Sequence, residues 1–176
     1  MAAAIGGVWL DARGTQSAAH AERGIARYIA EQTHALLRLR PDLEVSIGLD
    51  LDLPVPSTLQ DLADAGLVRA HDREDPGVEQ PSIYHVMSPF ESNLELADAW
   101  PAWARRGSTR TVVTLYDLIP LVMRDRYLTD SNWGVWGTVW MARLGLIRAA
   151  DHVLTISRRT ADDAIEHLGI ADGRIT

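Results

Sequence analysis

Asp50 and Asp52, separated by one residue, follow an apolar run and form the first candidate for chemistry. Two carboxylates in this spacing at the end of a strand can hold a divalent cation against a nucleotide diphosphate. No further acidic cluster or substrate motif accompanies them, and Pro54 follows almost directly. The pattern therefore favours a solvated turn, and we predict no metal site.

The six histidines do not favour a metal site either, because no two of them stand at the i, i+4 spacing. His85 is the most interesting of them, since it lies near the carboxyl end of an apolar run. We include it among the candidate substrate-binding residues. The competing interpretation is a histidine whose hydrogen bonds are satisfied within the fold.

A loop after the first apolar run contains Arg13, Gly14 and Gly24, and it leads into a helical pattern. The backbone N–H groups and the dipole at the start of a helix favour an anion. These three residues are therefore candidates for substrate binding. An ordinary strand-to-helix connection explains the same pattern equally well.

The elements that would position these residues alternate along the chain, with short apolar runs separated by helical periodicity. This alternation predicts an α/β fold, Rossmann-like and doubly wound, with a mainly parallel sheet and helices on both faces. Strands are predicted at residues 5–10, 45–49, 67–70, 82–87, 111–116 and 152–156. A helix near residues 94–104, kinked at Pro101, is also predicted.

Three further helices are predicted from apolar spacing and end signals. The first ends before Pro41, with five inward residues: Ile25, Tyr28, Ile29, Leu36 and Leu39. The second follows Ser57. The last has Ser157 as its N-cap and Gly169 as its end, with Ala161, Ala164, Ile165 and Leu168 facing inward.

In a doubly wound sheet, ligands bind at the carboxyl ends of the strands. This rule selects the segments that follow the strands, namely residues 11–24, 50–56, 88–91 and 117–120, together with Ser157 and Arg158. The fold class alone therefore indicates one edge of the sheet as the place for a site.

A stripe of large apolar side chains occupies one side of a predicted helix near residues 133–147. It contains Trp133, Trp136, Trp140, Leu144 and Ile147, with Arg143 and Arg148 nearby. The favoured interpretation is a helix that packs on the core. The alternative is a face that contacts lipid, since tryptophan and arginine suit the headgroup boundary.

The composition of the 176 residues excludes several classes of protein. The absence of lysine and cysteine excludes a P-loop lysine, a Schiff base, a thiolate zinc site and a cysteine nucleophile. A net charge of −7 opposes binding to nucleic acid. The lack of cysteine and of a visible targeting segment favours a cytoplasmic location, with association at the inner face of the membrane as an extension.

Five short motifs, taken together, resemble the N-terminal half of the retaining glycosyltransferases of family 4, which have the GT-B fold. They are Leu-Asp-Ala-Arg at 10–13, Arg-Gly-Ile-Ala-Arg-Tyr at 23–28, Ile-Tyr-His at 83–85 with Ser-Pro-Phe at 88–90, Leu-Tyr-Asp-Leu-Ile-Pro at 115–120 and Ala-Asp-His-Val-Leu-Thr-Ile-Ser at 150–157. Their order and spacing match that family over nearly the whole chain.

This resemblance implies two Rossmann-like domains with a cleft between them. Residues 1–176 would form the N-terminal, acceptor-side domain, and a separate C-terminal domain would bind the nucleotide-sugar donor. The complete enzyme would transfer a sugar, with retention, to a glycan or a lipid-linked acceptor, and it would need no cofactor. The isolated chain would then be inactive.

The resemblance also assigns roles to individual residues. Gly24 would approach the donor diphosphate, and Tyr116 and Asp117 would face the reacting sugar, with Asp117 as the catalytic candidate. Ser157 and Arg158 would lie at the edge between the domains as substrate-binding residues. Family members often have glycine at the position of Ala26 and histidine at that of Tyr116, so no histidine role transfers to residue 116.

Two other functions fit parts of the sequence. One is a metal-dependent transferase of the GT-A type that uses Asp50 and Asp52. The other is a non-catalytic α/β module that binds sugar or a protein partner. Binding of nucleotide that depends on manganese would favour the first of these.

Overall fold

The computed structural model describes residues 6–17, 24–90, 99–105 and 108–176, apart from the side chains of residues 130–136. The chain divides into two compact units, Met1–Thr111 and Val112–Thr176. The first carries β1 (Val8–Asp11), α1 (Gly24–Leu39), β2 (Val45–Leu49), α2 (Gln60–Asp64), β3 (Val68–Ala70) and β4 (Ile83–Val86). The second carries most of β5 (Arg110–Leu115), followed by α3 (Ile119–Val122), α4 (Arg124–Tyr127), α5 (Asp130–Ala149), β6 (His152–Thr155) and α6 (Arg158–Leu168).

The strand order is that of a doubly wound sheet. Strand β1 pairs in parallel with β2 and β4, β2 pairs with β3, and β5 pairs with β6. The order is β3-β2-β1-β4 in the first unit, and β5 lies beside β6 in the second. This confirms the predicted α/β, Rossmann-like class. Within the first unit the order reverses between β1 and β4, so the ligand-binding switch point of the fold lies at the carboxyl ends of these two strands.

One face of the first unit's strands packs against α1 and α2. Leu10, Ile47 and Leu49 from the strands meet Ile29 of α1 and Leu59 of the turn before α2, and all five are almost completely buried. Burial of such a side chain stabilises the fold by about 1.5–3 kcal/mol. This core holds the start of α1 and the segment after β2 in fixed positions.

The opposite face of β1 carries Trp9, whose ring meets that of Trp103 edge to face, with centroids 5.5 Å apart. A Cβ atom on Gly48 of β2 would come within 2.6 Å of Trp9 Nε1. Glycine at this strand position therefore leaves room for the indole. Both faces of β1 are covered, as a central parallel strand requires.

Helix α1 buries a narrower stripe than the sequence suggests. Ala26, Ile29, Ala30 and Thr33 are buried, whereas Tyr28 and Leu39, both predicted to face inward, are exposed. Successive residues are turned by about 100° around a helix. Tyr28 therefore points well away from Ile29, and Leu39, at the last turn, is turned away by a similar angle.

The ends of α6 follow the sequence signals. Ser157 Oγ accepts a hydrogen bond from the N–H of Thr160 at 3.1 Å, and Gly169 closes the helix with a φ of 66°. These observations confirm the predicted N-cap and C-terminal glycine. The buried stripe is rotated toward Thr160 and Asp163, so Ile165, predicted to face inward, is exposed.

Helix α5 contains the predicted tryptophan stripe. Leu144 and Ile147 are buried and Trp140 is half-buried, whereas the side chains of Trp133 and Trp136 lie outside the described residues. Arg143 is only 3% exposed, and burial lowers its pKa. Among the described helices, this one included, none is long and apolar enough to cross a membrane.

Strand boundaries shift by at most three residues from those predicted, and β2 matches at both ends. The predicted helix at residues 94–104 lies partly outside the described residues. Of the part that the structure describes, Trp103–Arg105 forms a short 3₁₀ turn.

Candidate functional site

Asp11, the last residue of β1, is the centre of a buried polar network at the switch point. Its carboxylate accepts hydrogen bonds from Arg13 Nε at 2.9 Å and Arg13 Nη2 at 2.7 Å, and from the Arg13 backbone N–H at 3.2 Å. The Arg13 and Asp11 side chains are 7% and 4% exposed. Burial alone would raise the pKa of Asp11, but Arg13 and then His71 lower it, to about 2.

Two more side chains converge on the same carboxylate. Tyr84 Oη, from β4, donates a hydrogen bond to Asp11 Oδ2 at 3.0 Å. His71 Nε2 lies 3.2 Å from Tyr84 Oη and 3.9 Å from Asp11 Oδ2. Burial and the charge of Asp11 raise the pKa of Tyr84, which keeps the phenol protonated. One carboxylate therefore links β1, the first loop, β4 and the segment after β3.

This network bears on the first group of predicted site residues. Arg13 was predicted to bind substrate, and the structure places its guanidinium on Asp11 inside the fold. Gly14, in the 3₁₀ turn Arg13–Gln16, is also buried. The network fixes the path of the first loop, and Asp11, His71 and Tyr84 are site residues that the sequence reasoning missed.

Gly24, the first residue of α1, is exposed, and a Cβ atom added to it would meet no described atom within 4 Å. The fold itself therefore does not require glycine at this position. A ligand that approaches the backbone closely would require it, as the resemblance implies for the donor diphosphate.

His85 lies in register with Leu10, on the face of β1 and β4 that packs against α1. It is 6% exposed, and burial lowers its pKa to about 4 despite the opposing charge of Asp11. The ring is therefore neutral at pH 7. This burial gives the residue a place in the core, and substrate binding by His85 stays a prediction.

Ser88, just past the end of β4, begins one of the segments that the fold class selects as a place for a ligand. The residue is buried, and its hydroxyl has no hydrogen-bond partner among the described residues. A buried hydroxyl of this kind requires an explanation, and a ligand or water at the switch point supplies one.

Asp50 and Asp52 form a turn. Asp50 Oδ1 accepts a hydrogen bond from the N–H of Asp52 at 3.0 Å, and Gln16 exchanges two hydrogen bonds with the Asp50 backbone, at 2.8 and 2.9 Å. No group of three or more potential metal ligands occurs in the part of the chain that the structure describes. The geometry therefore matches the favoured interpretation, a turn at the end of β2.

Three residues of the second unit meet at the start of α6. Thr160 Oγ1 donates a hydrogen bond to the carbonyl oxygen of Tyr116 at 3.0 Å, and it lies 2.9 Å from Ser157 Oγ. Thr160 thus connects two predicted site residues, Tyr116 and Ser157. The sequence gives no specific signal for this contact, because the usual partner three residues after an N-cap is Glu or Gln.

Asp117 and Arg158, like Ser157, are exposed members of the second unit's predicted site. Asp117 is exposed, and its Oδ1 accepts a hydrogen bond from the N–H of Ile119 at 3.0 Å. The Arg158 side chain is 88% exposed and pairs with Asp162 at 3.1 Å. Of these two side chains, that of Asp117 is held by a backbone N–H group.

Comparison with known proteins settles the family. The family model described as Glycosyltransferase Family 4 matches residues 22–176. The chain belongs to glycosyltransferase family 4. This confirms the resemblance drawn from the short motifs.

Three curated relatives of this family 4 chain carry the same name, serotype-specific mannosyltransferase WbdA, and come from Escherichia coli. Two are 34% identical to it over 101 residues and the third is 33% identical. Each alignment covers 54% of this chain and 11% of the relative. The chain thus spans about a tenth of the length of these relatives.

Proposed function

We propose that this chain is the acceptor-side domain of a retaining glycosyltransferase, which moves a sugar from a nucleotide-sugar donor to a glycan or lipid-linked acceptor. The observation that carries the proposal is the family match over residues 22–176. The relatives named as mannosyltransferases make mannose the first sugar to test. The donor would bind mainly to a second domain, and this chain would hold the acceptor.

Transfer with retention would require no nucleophile from this chain. The glycosidic oxygen leaves with the nucleotide while the acceptor hydroxyl attacks the anomeric carbon from the same face. One carbon–oxygen bond breaks, one forms, and the proton of the acceptor passes to a phosphate oxygen of the donor. The residues of this chain then orient the acceptor and exclude water, which accelerates the reaction through positioning.

Asp117 is the catalytic candidate of this proposal. Its carboxylate oxygens accept hydrogen bonds, and the side chain is exposed, so a sugar hydroxyl could donate to it. A second role, in the loop itself, is the Oδ1 hydrogen bond from Ile119. The two roles can be separated by replacement.

In the complete enzyme, we expect Asp117→Asn to lower turnover by about tenfold or more, because a hydrogen bond to a charged group contributes about 1.5–3 kcal/mol. Asparagine keeps an oxygen for the N–H of Ile119, so the melting temperature should stay within about a degree. Transfer of labelled mannose from its nucleotide to a mannose-terminated oligosaccharide measures the first quantity. Asp125→Asn, on exposed α4, is the matched control. A collapse of the melting temperature with full activity in the folded fraction would make Asp117 a structural residue.

The location and the acceptor's lipid are part of the same proposal. We place the enzyme in the cytoplasm, since a chain without cysteine suits a reducing compartment. The burial of Arg143, Leu144 and Ile147 favours the core interpretation of the α5 stripe. Contact with the inner face of the membrane would then have to involve other residues.

A further inference from the structure

A groove in the first unit lies between α1 and the segment that follows β2. Its volume is about 580 Å³, and its lining includes the polar residues Arg27, Glu31, His34, Ser57 and Thr58, with Ala30 and Pro56 beside them. Binding sites for small molecules span about 300–1,000 Å³. The groove is therefore large enough for one or two sugar rings.

Both walls of the groove begin at the carboxyl edge of the sheet. Arg27 lies one turn into α1, which follows β1, and Ser57 lies a short loop after β2. Gln16, in the first loop, joins that loop to the segment after β2 through its hydrogen bonds with Asp50. The groove therefore adjoins the edge where an open α/β sheet binds its ligands.

Two charged side chains of α1 line the groove and are exposed. Arg27 and Glu31 are exposed and stand one helical turn apart, yet neither has a hydrogen bond or an ion pair within the described parts of the chain. Five N–H donors of Arg27 and the carboxylate oxygens of Glu31 are thus available to a ligand. The hydroxyls of Ser57 and Thr58 add groups that both donate and accept.

His34 forms a fixed part of the wall. Its Nδ1 lies 2.8 Å from the Ala30 carbonyl oxygen, and its Nε2 lies 3.1 Å from Asp61 Oδ2. Both ring nitrogens are therefore occupied by the protein. The ring therefore forms part of the groove wall, and Arg27 and Glu31 are the charged groups that can bind a ligand.

The paired charges select a class of ligand. An anion would be attracted by Arg27 but repelled by Glu31 one turn away. A cation would be attracted by Glu31 but repelled by Arg27. A neutral molecule with several hydroxyls can donate to Glu31 and accept from Arg27 at once.

We propose that this groove binds a neutral sugar unit of the acceptor glycan through Arg27 and Glu31. The proposal rests on the acceptor-side function given above and names a binding site for it. Arg27 and Glu31 act here as binding residues at a distance from the transferred sugar. They fix the acceptor chain, and the reacting hydroxyl lies elsewhere along it.

Isothermal titration of the chain with mannotriose measures binding to the groove and tests the proposal. Arg27→Ala and Glu31→Ala should each weaken binding at least tenfold, and neither should lower the melting temperature, because both side chains are exposed and unpaired within the described residues. Arg38→Ala, exposed near the end of the same helix, is the matched control and should bind as the wild type does. Equal binding by all four proteins, or no binding by the wild type, overturns the proposal.

Kinetics of the complete enzyme separate this proposal from the function on which it rests. Glu31→Ala should raise the KM for the oligosaccharide acceptor and leave kcat unchanged. Transfer with an unchanged acceptor KM would refute the groove and leave the glycosyltransferase function intact. Absence of transfer from every nucleotide sugar by the wild type would refute the function, whereas loss of mannotriose binding in Glu31→Ala would still support the groove.

Discussion

Replacement of Asp11 by alanine is expected to lower the free energy of unfolding by about 3–5 kcal/mol, the cost of removing one partner from a buried ion pair. The variant would leave the Arg13 guanidinium buried without its carboxylate, and Tyr84 Oη without its acceptor at 3.0 Å. Urea denaturation followed by tryptophan fluorescence measures the loss. Trp9 and Trp103, close to the network, report on it directly.

The chain contains a matched control for this experiment. Arg40 and Asp42 form the same kind of two-bonded pair at the same spacing, but their side chains are 47% and 63% exposed. Exposed pairs contribute little, so Asp42→Ala should leave the denaturation midpoint nearly unchanged. Equal effects of Asp11→Ala and Asp42→Ala would show that burial of the first pair is not what makes it important.

Replacement of both charged partners tests whether the network specifies the fold or merely stabilises it. Asp11→Leu combined with Arg13→Met removes the buried charges together, and such exchanges are often neutral or stabilising. We expect the double variant to recover much of the stability lost by Asp11→Ala. If the first loop then loses its path, transfer by the complete enzyme should fall although the domain remains folded.

His85 should dominate the acid sensitivity of the domain between pH 6.5 and 4. The unfolded ring takes up a proton near pH 6.5, whereas the buried native ring, with a pKa of about 4, does not. Stability is therefore complete above pH 6.5 and declines as the pH falls toward 4, by on the order of 3 kcal/mol in total. Asp11 adds a further loss below pH 3.8, as the pH falls toward its native pKa of about 2.

His85→Gln should flatten this part of the profile. The slope of unfolding free energy against pH should fall by the amount that corresponds to about one bound proton. His34 provides a control of opposite sign, because hydrogen bonding to Ala30 raises its pKa, and Asp61 raises it further. Its contribution is complete below pH 6.5 and is lost as the pH rises through its native pKa. A profile for His85→Gln that coincides with that of the wild type would contradict the burial of a neutral ring.

Local features of the fold could be predicted because their signals lie within a few residues. Strand β2 matches its predicted limits because Val45–Leu49 is a continuous buried run bounded by polar residues. Ser157 and Gly169 end α6 as predicted because an N-cap and a left-handed C-terminal residue depend on backbone geometry alone. Inward faces were less predictable, as the rotated stripe of α6 shows.

The site was harder to predict than the elements that carry it. His71 and Tyr84 stand far from Asp11 in the sequence, and only the parallel pairing of β1 with β4 and β2 brings them to one carboxylate. The spacing of Asp11 and Arg13 was visible, but their burial was not. Segments at the carboxyl ends of strands could be selected from the fold class, whereas the partners of each side chain depend on tertiary packing.

Isothermal titration of the chain with two ligands tests the central claim, that it is the acceptor-side domain of a family 4 glycosyltransferase. The ligands are a mannose-terminated oligosaccharide and nucleotide-linked mannose. We predict measurable binding of the oligosaccharide and no tight binding of the nucleotide sugar. Micromolar affinity for the nucleotide sugar, with no binding of the oligosaccharide, would contradict the assignment and make this the donor-binding part of the enzyme.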